Sequence, residues 1–250
     1  MTVEHQLDKF DPIDLKQMDR VKLLQRTDTK YLLSKARLLD LLPNLFEHYY
    51  ALEIKGKKTS VYHTLYLDTA EKKYFMQHHQ GRYKRHKVRF RTYIETGISF
   101  LEVKLKQKGI TNKKRITTTI QEGLDQNQIS FLKQWIPENI EDLSPSLQNT
   151  FNRITLVHKT DQERVTIDFN LNFTRNDKKV ILTEPVIIEL KQSKFNRKSI
   201  ISKLLRTNLI RPQQMSKYCV GCILLNKSLK YNRFKTRLLE LNKIQQLWNS

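Results

Sequence analysis

The sequence predicts an α+β domain of seven or eight strands, many antiparallel, with helices inserted between them and appended after them. Three observations predict it. Apolar and polar residues alternate over long stretches, as in His86 to Glu95 and Ser99 to Lys108. The gap between these two stretches is short and holds Gly97, which suits a hairpin. Glycine and proline are scarce, 6 of each in 250 residues, and no low-complexity linker interrupts the chain. One compact unit over residues 1–250 is therefore expected.

The elements follow in order. Residues 8–18 and 35–46 read as helices. In the second, Leu38, Leu39, Leu41, Leu42 and Leu45 form a broad apolar stripe behind a Ser34 N-cap. Lys30 to Leu33 between them reads as a short strand. Val61 to Asp68 is another strand, and Asp68 with Thr69 opens a short helix through Phe75. The alternating hairpin comes next. Lys113 to Gln121 is a third strand of that block, rich in β-branched residues. Residues 125–136 and 145–152 read as helices. Strands return at Arg153 to His158, Arg164 to Phe173 and Val180 to Gln192. Helices are expected at about 197–208, 215–226 and 235–248.

Charge is the second theme. The net charge is +21, with 28% charged and 38% hydrophobic residues. That balance suits a folded, soluble chain whose partner is an anion: nucleic acid, an acidic membrane or phosphorylated small molecules. No run approaches the roughly 18 apolar residues of a membrane span, and residues 1–22 lack the apolar core of a signal peptide, so the expected location is the cytosol. The two cysteines, Cys219 and Cys222, have zinc or redox spacing, but no second ligand pair accompanies them. They are expected to be buried thiols on a helix.

The cations are not scattered. Three acid-x-base pairs, Asp28-x-Lys30, Glu102-x-Lys104 and Glu189-x-Lys191, sit in strand-like runs, so each pair shares a face. Lys87, Arg89 and Arg91 occupy alternate positions, as do Lys113 and Arg115. Taken alone, these are solvated strand faces and surface ion pairs. Taken together, they crowd like charges on one face, which is destabilising without water or a polyanion. A flat sheet could show that face to solvent. A barrel could turn it inward. Periodicity alone does not separate the two.

The segments RTDTKYLLS (26–34), HTLYLDT (63–69), HKVRFRTY (86–93), FLEVKLKQKG (100–109), KKRI (113–116), ERVTIDFNL (163–171), VIIELKQ (186–192) and MSKYCVG (215–221) resemble, in that order, the triphosphate tunnel metalloenzymes. Within that superfamily the resemblance is to the VTC domain, the polyphosphate polymerase of vacuolar transporter chaperone type. It covers about residues 20–225 and leaves 226–250 as a basic helical extension. It implies an antiparallel eight-stranded β-barrel, or tunnel, lined by Lys, Arg and Glu, with helices packed outside. It also implies transfer of the ATP γ-phosphate onto polyphosphate with a divalent metal, Mn²⁺ or Mg²⁺.

By motif, the resemblance assigns phosphate contacts and catalysis to Lys30, Arg89, Arg91 and Lys104. Lys113, Arg115, Arg164, Arg175, Lys191 and Lys217 become further phosphate-binding residues. Glu189 is the metal ligand, with Glu102 the second choice. The wider superfamily opens with E-x-E-x-K, where this chain has Arg26 and Asp28, a departure that favours a transferase over a hydrolase.

The implied partners are ATP and inorganic polyphosphate, with action alone or beside a separately encoded membrane partner; nucleic acid is not the expected partner. A triphosphatase in the same tunnel is the alternative reaction. A non-catalytic module for polyphosphate, inositol phosphates or RNA is the alternative of another class. The run Lys227 to Arg237, with Tyr231 and Phe234 among its cations, lies outside the resemblance and reads either as a plain basic helix start or as a contact for polyanions.

Overall fold

Alternation in the sequence becomes a sheet with two differently furnished faces. The computed structural model describes residues 2–20, 27–108, 110–121, 123–194 and 196–246. The chain opens with α1 (Val3–Leu7), β1 (Pro12–Ile13) and α2 (Leu15–Arg20). These replace the single helix expected at 8–18. Asp8 ends α1, and Pro12, which has no N–H for a helix, enters a two-residue strand. β2 (Thr27–Ser34) then leads into α3 (Lys35–Leu41), where the Ser34 hydroxyl accepts the Arg37 N–H as an N-cap should. A 3₁₀ turn carrying Pro43 finishes that helix.

β3 (Tyr49–Leu52) is too short to announce itself by periodicity. β4 (Thr59–Asp68), β5 (Lys84–Tyr93), β6 (Ile98–Gln107), β7 (Ile110–Thr118) and α5 (Gln126–Trp135) follow near their expected places, whereas α4 (Lys73–Gln80) starts after a left-handed Lys72 rather than at Asp68 and Thr69 and runs past Phe75. The helix expected at 145–152 is instead the first half of β8 (Ser144–His158), where residues 144–154 pair with β4 along its whole length. Next comes β9 (Glu163–Arg175). The strand expected over 180–192 divides into β10 (Lys178–Leu182) and β11 (Pro185–Gln192). α6 (Ile200–Thr207), α7 (Lys217–Leu225) and α8 (Lys235–Gln246) complete the chain. Arg26 and the last two residues of the expected final helix lie outside the described residues.

Eight strands form one path, β2-β11-β9-β8-β4-β5-β6-β7, and every neighbouring pair is antiparallel. Among the described residues β2 and β7, at its two ends, are not paired with each other. The path nevertheless curls. In a flat sheet five strand spacings would set β2 about 24 Å from β5, beyond a Debye length of about 10 Å. Here Lys30 on β2 depresses the pKa of both Lys87 on β5 and Lys106 on β6. Glu189 on β11 likewise acts on Lys104 of β6. The result is a curled antiparallel half-barrel of eight strands with helices around it, the fold class the sequence predicts.

The convex face buries the apolar half of each alternation. Helices α1, α3 and α6 cover Leu33, Ile154, Leu156, Ile167 and Ile188. Helices α4 and α5 cover Leu67, Val88, Leu101 and Val103 through Tyr74, Phe131 and Leu132. α7 and α8 go to the other side, where their buried residues join Leu32 and Ile187, on the same face as Lys30 and Glu189. α7 is apolar nearly all round, and such a helix must be buried on every side. It packs in the concavity against Tyr66, Phe151, Leu147 and Phe173. Gly221 permits that approach: a Cβ there would stand 2.5 Å from Phe173 and 2.7 Å from Leu147.

Candidate functional site

Strand register carries the site across the concave face. Asp28 and Lys30 of β2 stand opposite Lys191 and Glu189 of β11. Those stand opposite Arg164 and Thr166 of β9. Asp168, two residues on from Thr166, is opposite Arg153 of β8. Further round, Tyr66 and Thr64 of β4 meet Arg89 and Arg91 of β5. Arg89 and Lys87 meet Glu102 and Lys104 of β6, which meet Arg115 and Lys113 of β7. Side chains two apart on a strand share a face, so distant parts of the sequence deliver their cations to one place.

Three carboxylates organise these cations, each held between two of them. Glu102, fully buried, accepts Arg89 Nε at 2.8 Å and Arg89 Nη2 at 2.5 Å on one oxygen, and Lys113 Nζ at 2.7 Å on the other. Asp168 takes Arg153 in bidentate fashion, Nε at 2.5 Å and Nη2 at 2.7 Å, and also Lys217 from the start of α7. Glu189 takes Lys30 on one oxygen and Lys191 Nζ on the other at 2.5 Å; that lysine also donates to Thr166 Oγ1 at 3.0 Å. Burial alone would raise the pKa of each acid. The surrounding cations win, and all three are held well below the usual carboxylate range.

The remaining cations have less compensation. Arg91 is buried, its Nε has no hydrogen-bond partner among the described residues, and its guanidinium lies 5.4 Å from the Tyr62 ring centroid. Lys104 is held well below the usual lysine value, first by Arg89, then by burial and by Arg91. Lys87 is pushed down to about 8, first by burial and then by Lys30, Arg89 and Arg85. Lys217 is likewise held at about 8, chiefly by burial, although Asp168 pulls it upward. Burial and neighbouring cations together work against the charge of these lysines, and an anion beside them would relieve both.

Of the residues named from sequence, the structure brings together Lys30, Arg89, Arg91, Glu102, Lys104, Lys113, Arg115, Arg164, Glu189 and Lys191 on the concave face, and Lys217 joins them from α7. Arg175 stands apart. It lies at the β9–β10 hairpin, beyond the layer where Leu147 and Phe173 pack on α7, and it bears on Lys72 rather than on the cluster. Sequence reasoning missed Arg153, which bonds Asp168 and lies 4.8 Å from the Tyr62 ring centroid. Its only signal was a cation on a strand otherwise apolar to its C-terminal side. Tyr62 and Tyr66, on which Arg91 and Arg89 rest, were missed too.

A family profile described as the VTC domain matches residues 25–226. The chain belongs to the VTC domain family. A search among curated proteins finds no match. Among solved structures, a Bacillus halodurans protein provisionally called an adenylate cyclase shares 14% identity at a TM-score of 0.51, over 77% of this chain and 94% of that one. A Hippeastrum protein provisionally called an adenylyl cyclase, and described as having a dominant triphosphatase activity, shares 14% identity at 0.44, over 78% and 95%. A Pyrococcus horikoshii protein shares 11% at 0.44, over 81% and 99%. The first of these likenesses supports the fold.

The VTC family implies a divalent metal. No group of three His, Cys, Asp or Glu side chains converges among the described residues of this VTC domain, and both oxygens of Glu102 and of Glu189 already face cations. The residues fit a hard cation as one carboxylate beside substrate phosphates, the usual way Mg²⁺ is held, and not as a protein cage. Glu189, with 17% of its side chain exposed against 0% for Glu102, is the one such an ion could reach.

The cysteines of the VTC domain are free and buried, and burial lifts Cys222 to about 12, so neither is a thiolate. The basic run after α7 is partly structural: Arg233 donates to the Gln80 carbonyl at 2.7 Å, and Phe234 is buried beside Phe75. Among the described residues no helix is long and apolar enough to cross a membrane.

Proposed function

We propose that this VTC domain is an ATP-dependent polyphosphate polymerase that extends a phosphate chain within the curled sheet. One observation carries the reading. The concave face gathers cations from β2, β5, β6, β7, β8, β9, β11 and α7, and its carboxylates are already claimed. Arg91, Lys104 and Lys87 are left with charge to spend on a ligand bearing several negative charges in a row.

Phosphoryl transfer asks little covalent work of a protein; it asks for in-line placement and charge neutralisation. In this reading a terminal oxygen of the chain attacks the γ-phosphorus of ATP, the bond to the β-phosphate oxygen breaks, and ADP leaves. Arg89, Arg91 and Arg164 offer planar donors that fix phosphate oxygens. Lys30, Lys104, Lys113, Lys191 and Lys217 offer movable charges; all but Lys104 lean on a carboxylate from which they can turn to phosphate. Arg115 extends the row at β7, and Arg175 has no part in the transfer. A divalent ion beside Glu189 would add further neutralisation of phosphate charge. The attacking phosphate is already an anion, so no general base is required.

Incubation with ATP and Mn²⁺, followed by gel separation of the products, tests the reading. Long phosphate chains are expected, together with ADP. Orthophosphate alone would replace polymerase by triphosphatase. Salt-sensitive anion binding with no ATP consumed would replace both by a binding module.

A further inference from the structure

The two ends of the concave face are chemically unlike. At the end where β5 and β6 meet through their hairpin, the face carries Tyr93, Ile98 and Phe100. Ile98 is 45% exposed, and Phe100, only half buried, belongs to none of the hydrophobic clusters among the described residues. The exposed Arg115 lays its guanidinium 4.3 Å from the Phe100 ring centroid, and Tyr93 stands edge-on to that ring at 5.8 Å. At the opposite end of the same two strands the face is cationic. Arg85 lies opposite Lys106 and, after burial, lowers that lysine's pKa, and Arg85 Nε is buried without a partner among the described residues.

We infer that the site is directional: the base of a nucleoside triphosphate stacks on the Phe100–Arg115 step, and the acceptor chain lies at the Arg85–Lys106 end. This rests on the polymerase reading above and adds the nucleotide subsite to it. Aromatic rings and guanidinium planes are the surfaces on which bases stack without needing sequence-specific hydrogen bonds. Spacing agrees. Phe100 and Lys104 are four residues apart on β6, about 13 Å along a strand, which is the reach of an extended nucleoside triphosphate from base to terminal phosphate. With the base on Phe100, the terminal phosphate lies by Lys104 and Arg89, and the attacking chain must come from the side away from the base, where Arg85 and Lys106 wait. The reverse orientation would put the base among lysines and the acceptor among aromatic rings.

The test compares ATP with tripolyphosphate, which has the phosphates and no base, by calorimetry in metal-free buffer. Phe100→Ala should weaken ATP binding about 5- to 150-fold, the range found when one base loses its aromatic partner, and leave tripolyphosphate binding unchanged. Phe100→Trp should retain ATP affinity. Phe100→Leu keeps the apolar volume and should behave as Phe100→Ala, which separates stacking from folding. Equal losses for both anions, or no loss for either, overturn the subsite while leaving the phosphate reading intact. Wild-type protein that binds neither anion overturns the phosphate reading, and this inference with it.

Discussion

Replacing Glu102 by Gln keeps the shape of the side chain and removes one negative charge from a fully buried position. Arg89 and Lys113 lose their shared acid, while Arg91 and Lys104 lose the charge that offsets them. Breaking one side of a buried pair costs about 3–5 kcal/mol. For a chain of this length each kcal/mol moves the melting temperature by about 2–4 °C, so the variant should melt roughly 6–20 °C below wild type. An anion reverses the sign of the argument for binding. The variant's cavity is one charge more positive, so tripolyphosphate should bind it more tightly. At a hundred times its dissociation constant a ligand adds about 2.7 kcal/mol of stability, and at any one anion concentration the variant should gain more than wild type. Melting curves with and without tripolyphosphate read both effects. Unchanged melting without anion, or equal gains with it, refutes the view that Glu102 holds mutually repelling cations in place of a ligand.

Lys104→Met should move stability and function in opposite directions: removal of a cation that Arg89 and Arg91 repel raises the melting temperature, while turnover falls about a hundredfold for the lost contact; a drop in both would refute it. Binding of tripolyphosphate should be strongest below about pH 8 and weaken as pH rises through it, because Lys217 and Lys87, both at about 8 in the free protein, are protonated again when phosphate arrives. The same groups act oppositely on folding. Their folded values lie below the ordinary 10.5, so the unfolded chain binds more protons between about 8 and 10.5, and their share of stability grows with pH over that window. Calorimetry and melting across pH 7–10 check both slopes. Gly221→Ala should cost about 1–3 kcal/mol of stability by overpacking against Phe173 and Leu147, read by chemical denaturation, and an unchanged midpoint would mean that α7 can shift away.

Legibility followed physics rather than length. The β5–β6 hairpin was plain because one face is apolar and the other charged at every step. The first half of β8 looked helical because its inner face is mixed: Asn149 stands between Leu147 and Phe151, which pack on α7, and the polar Gln148, Thr150 and Asn152 alternate with them, so the period is masked. The break between β10 and β11 carries Thr183 and Glu184, with no glycine to mark it, and the two strands fused into one in the sequence reading. Most site residues were found because they travel in pairs two apart. Arg153 travels alone, and only the register opposite Asp168 gives it a role. The position of α7 was written in its composition, since a segment such as Tyr218 to Leu225 has no polar side to turn outward, yet composition does not say which side of the sheet will receive it.

The β7 edge has a consequence of its own. It is largely exposed and has a strand on one side only among the described residues. Another copy trying to lengthen the ladder there would bring Lys113, Lys114 and Arg115 against the same three residues, and that repulsion is a guard against stacking. A multivalent anion such as the polyphosphate proposed above would cancel it. In such a molecule colloidal behaviour is tied to the ratio of polymer to protein: clear solutions at either extreme, and turbidity where bridging chains and bare edges are balanced.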